Sequence, residues 1–203
     1  MKFEKPFLFL SALIACFVIA SGVTTVSKPN NYSESYPVVV CPPTLNGLTS
    51  QISISSRKTQ YQRLENRSSK TVPFKALRFP VNKDSLVISA EGTTPLIWQS
   101  RAGSWAGGTL CSGPNSAAWF VGGTANVTSR GRLILINSGL SDSIVDVQSY
   151  TENAKQPVKS VNLKSKSYVQ LSLDSLAPGD KALAVQVTPR SGRVNAFMID
   201  EQG

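Results

Sequence analysis

From residue 38 onward the chain never sustains an apolar period of 3.6. Short β-branched and aromatic runs recur instead, each divided from the next by Gly, Pro, Asn or Ser. Runs of that kind bury a face only by pairing into sheets, so the pattern predicts an all-β fold, a sandwich or a barrel. In the C-terminal half they fall at 118–121, 132–137, 144–151, 158–163, 168–173, 182–188 and 193–199. Seven strands in fewer than about 90 residues is the size of an immunoglobulin-like β-sandwich. Val145 and Val147 alternate with Asp146 and Gln148, and Val169, Leu171 and Leu173 alternate with Gln170, Ser172 and Asp174. Period two places each set on one face, which predicts a core containing Leu133, Leu135, Val145, Val147, Leu171, Leu173, Val185 and Val187. Leu133, Ile134, Leu135 and Ile136 are apolar on both faces, as in a central strand. Asn137-Ser138-Gly139, Pro178-Gly179-Asp180 and 189–192 supply turn chemistry between the runs.

The first half is less regular. Its strand candidates are 38–41, 50–55, 71–79, 86–90 and 96–99. Residues 27–37, rich in Asn, Ser and Tyr, read as a linker. A boundary near 112–115 separates a smaller basic β-rich module, 38–115, from the sandwich, 116–203.

Residues 1–26 open with Lys2 and Lys5 and continue in a run, 6–27, that carries no charge. A basic start before an apolar stretch is the pattern of a secretory signal, with small residues for cleavage after Gly22. The stretch also approaches the ~20 residues that span a bilayer, so a retained anchor helix fits equally. A third reading puts a lipid on Cys16, after Leu13-Ile14-Ala15. Each reading delivers the remainder outside the membrane, secreted or anchored.

Outside the cytoplasm the remaining two cysteines, Cys41 and Cys111, are expected to pair, closing a loop of about 70 residues. Two unrelated buried thiols are the plain alternative. No CxxC is present, which removes redox and zinc-ribbon chemistry.

Several of these features occur together in one known group. The N-terminal anchor, Cys41-Pro42 and Cys111 ahead of Trp119-Phe120-Val121-Gly122-Gly123 are three. Asn137-Ser138-Gly139, where the group shows Asn-Pro-Gly, then Ala177-Pro178-Gly179 and the strand 182–187 are the others. In these, residues 38–203 resemble an uncharacterised family of secreted or membrane-anchored actinobacterial proteins known only as a domain of unknown function. The resemblance implies tandem immunoglobulin-like sandwiches in the cell envelope and no activity. Members of that family run on past the position of Gly203, so the resemblance also implies that a second sandwich lies outside this chain.

The chain has no histidine, which excludes Ser-His-Asp and Cys-His catalysis and His-ligated metals. Ser55 and Lys58 have S-x-x-K spacing, but Ser55 ends a strand candidate rather than opening a helix. No Gly-rich phosphate loop precedes a helix. Carboxylates are few, and Asp142, Asp146, Asp174 and Asp180 flank turns, where solvated acids are the ordinary reading. Calcium at Asp142 and Asp146 would find two hard ligands where it takes 6–8. No cofactor and no metal is expected. Trp98 and Trp105 lie on a Gly/Ser-rich stretch among polar residues and could stack a sugar ring. Trp119 and Phe120, beside a strand and Cys111, read as core.

Charge is uneven. Of a net +9, the segment 28–83 holds nine Lys or Arg against two Glu, while 84–203 is nearly balanced. Arg57, Lys58, Arg63, Arg67 and Lys70 lie in a polar stretch between strand candidates, free to form a patch for anionic lipid or phosphate-bearing wall polymer. A solubilising face without a partner is the simpler alternative, and nucleic acid is not expected outside the cytoplasm. The function expected is a non-enzymatic extracytoplasmic envelope protein that binds or braces. The alternative is a carbohydrate-binding or carbohydrate-active protein using Trp98 and Trp105.

Overall fold

Alternating runs become antiparallel strands throughout the computed structural model, which describes residues 38–55, 59–64, 72–73, 75–89, 94–126, 128 and 130–201. They belong to one compact unit, Tyr36–Gly203. The expected leader, 1–26, and linker, 27–37, lie outside the described residues. The first eight strands are β1 (Val38–Cys41), β2 (Thr49–Ser53), β3 (Gln60–Arg63), β4 (Val72–Pro73), β5 (Arg78–Val81), β6 (Leu86–Ser89), β7 (Leu96–Arg101) and β8 (Trp105–Leu110). Seven more follow: β9 (Ala118–Gly123), β10 (Arg132–Asn137), β11 (Ser143–Thr151), β12 (Lys159–Leu163), β13 (Ser167–Ser172), β14 (Leu183–Pro189) and β15 (Val194–Ile199). A 3-10 turn, Leu173–Ser175, continues β13. Among the described residues no helix is long and apolar enough to cross a membrane.

The strands form four sheets. Those of the first half are ordered β4-β3-β6-β1 and β5-β2-β7-β8; those of the second are β12-β11-β14-β9 and β13-β10-β15. Adding eight to each strand number of the first pair reproduces the second pair, with β8 left over. The chain therefore builds one topology twice. Two such sheet pairs lie between Val38 and Ile199, eight strands in the first and seven in the second. The irregular first half hid the repeat for two reasons. The candidate 71–79 is two strands, β4 and β5, on opposite sheets, and β3 and β8 fall in stretches that read as polar loop.

Each pair of sheets encloses its own core. In the second, Leu133, Leu135, Val145, Val147, Leu163, Val185 and Val187 are buried together, each worth about 1.5–3 kcal/mol in apolar surface removed from water. All eight predicted core positions join it, with Leu171 partly buried and Leu173 arriving from the 3-10 turn. Asn137, fully buried, makes the turn after β10: its side-chain oxygen accepts from Gly139 N at 2.9 Å and its amide donates to Ser141 and Leu163 carbonyls. The first core gathers Val39, Ile52, Ile54, Tyr61, Ile88 and Ile97 around the disulfide. Cys41 and Cys111 are bonded, with Cα atoms 4.5 Å apart, tying the end of β1 to the residue after β8.

A third apolar cluster lies between the sandwiches. Val40, Leu45, Leu48 and Leu64 from the first meet Ile134, Ile136, Phe197 and Ile199 from the second. Here is the reason β10 is apolar on both faces. Leu133 and Leu135 point into its own sandwich, while Ile134 and Ile136 point out and are equally buried, at 0% exposure, against the neighbour. The connection 111–117 is held from both sides. Ser112 exchanges backbone hydrogen bonds with Val40 at 2.8 and 3.0 Å, and its carbonyl accepts from the Asn195 amide at 2.6 Å.

Candidate functional site

The β7–β8 hairpin turns through residues 102–104, with Gly103 at φ 75° and Ser104 N bonded to Arg101 O at 3.2 Å. A three-residue turn with glycine at the positive-φ position is a standard hairpin connection. The Gly/Ser-rich stretch is thus a strand hairpin that extends the 96–99 candidate, and this decides where the two tryptophans go. Trp98 pairs with Gly108, and Trp105 with Arg101, in register with Gln99 and Gly107. Odd and even positions face opposite ways, so Trp98 and Trp105 lie on opposite faces of one ribbon. Each indole rests on a glycine. A Cβ at Gly108 would come within 3.0–3.2 Å of the Trp98 ring, and one at Gly107 within 2.7 Å of the Trp105 ring. The pair cannot form one stacking platform. Trp98 is 49% exposed on the outer face, whereas Trp105 is half-buried and packs at the seam between the sandwiches.

Beside Trp105 a cleft of about 340 Å³ opens between the hairpin and the end of β15. Gln99, Trp105, Gly107 and Thr109 line one side; Met198 and Asp200 line the other. Gln99 is buried, and its amide spans the loop after β1, donating to Pro43 O at 2.9 Å and accepting from Leu45 N at 3.3 Å. Asp200 accepts from Thr124 N at 2.7 Å and from Thr124 Oγ1. It is the one carboxylate among the described lining residues, so the cleft offers shape, an aromatic wall and hydrogen-bond acceptors rather than an acid–base pair. Glu201, next in sequence, is ion-paired to Arg101 at 2.8 Å, which holds its carboxyl below the usual glutamate range.

Of the other acids considered above, Asp142 and Asp146 are engaged as well. Asp142 binds Lys164 Nζ at 2.8 Å and Ser165 N; Asp146 binds Arg190 Nε at 2.7 Å and Ser160. In each the cation's hydrogen bond, helped by the second donor, lowers the carboxyl pKa. Two carboxylates that each face a different cation do not share a calcium ion. No group of three or more acids or cysteines suited to a metal occurs among the described residues.

Of the basic stretch, Arg63 is described and stands on β3, its Nη1 3.3 Å from Asp84 Oδ2. Arg57, Lys58, Arg67 and Lys70 lie outside the described residues. Trp119 corrects another expectation: it is 55% exposed, not core. Its ring stacks on Tyr150, centroids 5.4 Å apart, with Lys155 Nζ 5.6 Å from the centre of the Tyr150 ring. Phe120 points inward, as expected. The alternation in β9 carried this answer, because two adjacent strand residues cannot share a face. The cleft's Asp200 and the Arg101–Glu201 pair had no local signal, since their partners are 76 and 100 residues away.

The family match covers the second sandwich and the last strands of the first, starting within β6 and running through β15. No curated protein matches the chain. One solved structure, the Anabaena sensory rhodopsin transducer, is similar over 42% of this chain and 96% of its own, at 12% identity and a TM-score of 0.39. Residues 88–202 match the family of unknown function DUF5719, and the chain belongs to that family.

Proposed function

We propose that this chain is a non-enzymatic module of the cell envelope, exported through residues 1–26, which act as signal or anchor. In this reading it binds or braces outside the membrane as a single two-sandwich block. One observation carries the reading: the two sandwiches share a buried seam and a pinned connection, and a disulfide closes the first of them. Disulfides persist in oxidising compartments, and a block so tied transmits force or presents a surface rather than opening around a substrate. The described carboxylates of Asp84, Asp142, Asp146 and Glu201 serve ion pairs. Each sandwich is of the immunoglobulin-like class with its edges exchanged. The first strand joins the sixth and the seventh joins the second, whereas an immunoglobulin domain places the first strand with the second and the last with the sixth.

The contact with the envelope runs through the basic residues Arg57, Lys58, Arg63, Arg67 and Lys70, facing anionic lipid headgroups or wall polymer. The test is co-sedimentation of the chain from residue 28 onward with anionic vesicles at low and moderate salt. Replacing Arg57, Lys58 and Arg63 by Gln should weaken binding about a hundredfold, at about 1 kcal/mol for each cation near an anionic surface, and binding should fall as salt rises. Equal binding by parent and variant, or indifference to salt, rejects the reading.

The cleft favours a second reading, a carbohydrate-binding module in which one sugar ring lies against Trp105 with Asp200 accepting from its hydroxyls. Trp98, on the other face, takes no part in it. Titration of soluble wall oligosaccharides while following tryptophan emission tests this. Trp105→Ala should abolish a binding signal that Trp98→Ala leaves intact.

A further inference from the structure

Because the fold is repeated, the internal seam is a worked example of how one sandwich docks on the next. The first sandwich contributes the outer face of its β4-β3-β6-β1 sheet. Val40, Val87 and Leu64 stand there, while Val39, Cys41, Leu86 and Ile88 point into the core. The second contributes the outer face of β13-β10-β15, with Ile134, Ile136, Tyr168, Phe197 and Ile199. The contact is heterologous: two different faces of the same topology meet. Each sandwich therefore has one docking face used at the seam and one left over. The unused faces are the β12-β11-β14-β9 sheet of the second sandwich and the β5-β2-β7-β8 sheet of the first.

Those two outer faces carry five of the nine exposed large hydrophobic residues among the described positions. Trp119 (55%), Val121 (80%) and Ile144 (43%) stand on one; Trp98 (49%) and Leu110 (58%) stand on the other. The placement matches the seam. Trp98 faces outward from the seventh strand of the first repeat, opposite Gln51 of the second strand. Phe197 faces outward from the seventh strand of the second repeat, opposite Ile134 of the second strand, and is buried in the seam.

We infer that the two exposed faces are mutual docking surfaces and that their occupant is a second copy of this chain. The Trp119–Val121 face of one molecule seats on the Trp98–Leu110 face of the next, continuing the internal packing. A heterologous contact propagates, giving a filament or, if its rotation closes, a ring. Within the chain the connection 111–117 supplies a high effective concentration; between chains that advantage is lost, so the association is weaker than the seam and grows with local concentration. The inference stands apart from the basic-face reading, since it uses none of those cations.

The experiment is sedimentation of the chain from residue 28 onward over a wide concentration range, with two variants. One carries Trp98→Ser and Leu110→Ser; the other carries Trp119→Ser and Val121→Ser. The expected result is that the parent's mean mass rises past that of a dimer while each variant alone stays monomeric. An equimolar mixture of the variants should then form dimers and stop there, because one intact face of each kind remains. A parent that stays monomeric, variants that assemble like the parent, or a mixture that stays monomeric overturns the inference. Dimers formed by either variant alone would likewise overturn it, pointing to like faces meeting. Circular dichroism and thermal melting establish that each variant is folded. Should a double variant fail to fold, the single substitutions Leu110→Ser and Val121→Ser take its place with the same expected pattern.

Discussion

Arg101 and Glu201 close a two-point ion pair across the seam, Nε to Oε2 at 2.8 Å and Nη2 to Oε1 at 3.1 Å, joining the end of β7 to the residue that follows β15 by two positions. The Arg101 hydrogen bonds hold the Glu201 carboxyl below its ordinary range. A carboxyl whose folded pKa is depressed contributes its full stability above the unfolded pKa and loses it as pH falls through the folded one. The parent should therefore lose thermal stability between about pH 5 and about pH 3. Glu201→Gln should start a few degrees lower at neutral pH and lose less over that interval. Melting curves of both proteins at the two acidities decide it. Parallel acid losses would show that Glu201 contributes nothing and that other carboxylates, such as Asp142 and Asp146, account for the change.

Removing the disulfide releases the loop between Cys41 and Cys111 in the unfolded chain. With a sequence separation of 70, the chain-entropy relation gives about 4 kcal/mol. Cys41→Ala with Cys111→Ala should lower the unfolding free energy by that amount in urea titrations. Non-reducing mass mapping of the native protein should show this one bridge.

Leu135 is fully buried in the second core. Leu135→Ala should cost about 2–5 kcal/mol, the transfer loss plus a cavity the strands cannot close. Leu140→Ala, at an 88% exposed position, should stay within about 0.5 kcal/mol. A Leu135→Ala variant that melts with the parent would mean that the register of β10 is shifted.

Phe197 belongs to the seam rather than to either sandwich core. Phe197→Ala should cost about 3–5 kcal/mol, and the loss should appear as uncoupling. The parent is expected to unfold in one cooperative transition and the variant in two, because each sandwich retains its own core. Calorimetry separates these outcomes; a single shifted transition would show that the cores themselves, not the seam, carry the cooperativity.

Alternation and turn chemistry determined the class of this fold and most of its second half. β10 falls on residues 132–137 as the sequence predicts, the eight core positions lie where period two places them, and Cys41 and Cys111, the two cysteines beyond the leader, are paired as expected. These are local consequences: a side chain's face follows from its neighbours, and a turn from three or four residues. The tertiary structure decided everything that depends on one sandwich meeting another. Two copies of one topology stayed hidden because a docking face needs only to be apolar where it is covered. The outward positions of β2, Gln51 and Ser53, are polar where those of β10, Ile134 and Ile136, are not. The same holds for the candidate site. The cleft, the Arg101–Glu201 pair and the opposite facing of Trp98 and Trp105 join groups up to 100 residues apart. No periodicity extends over that separation, and only packing brings such groups within a few ångströms.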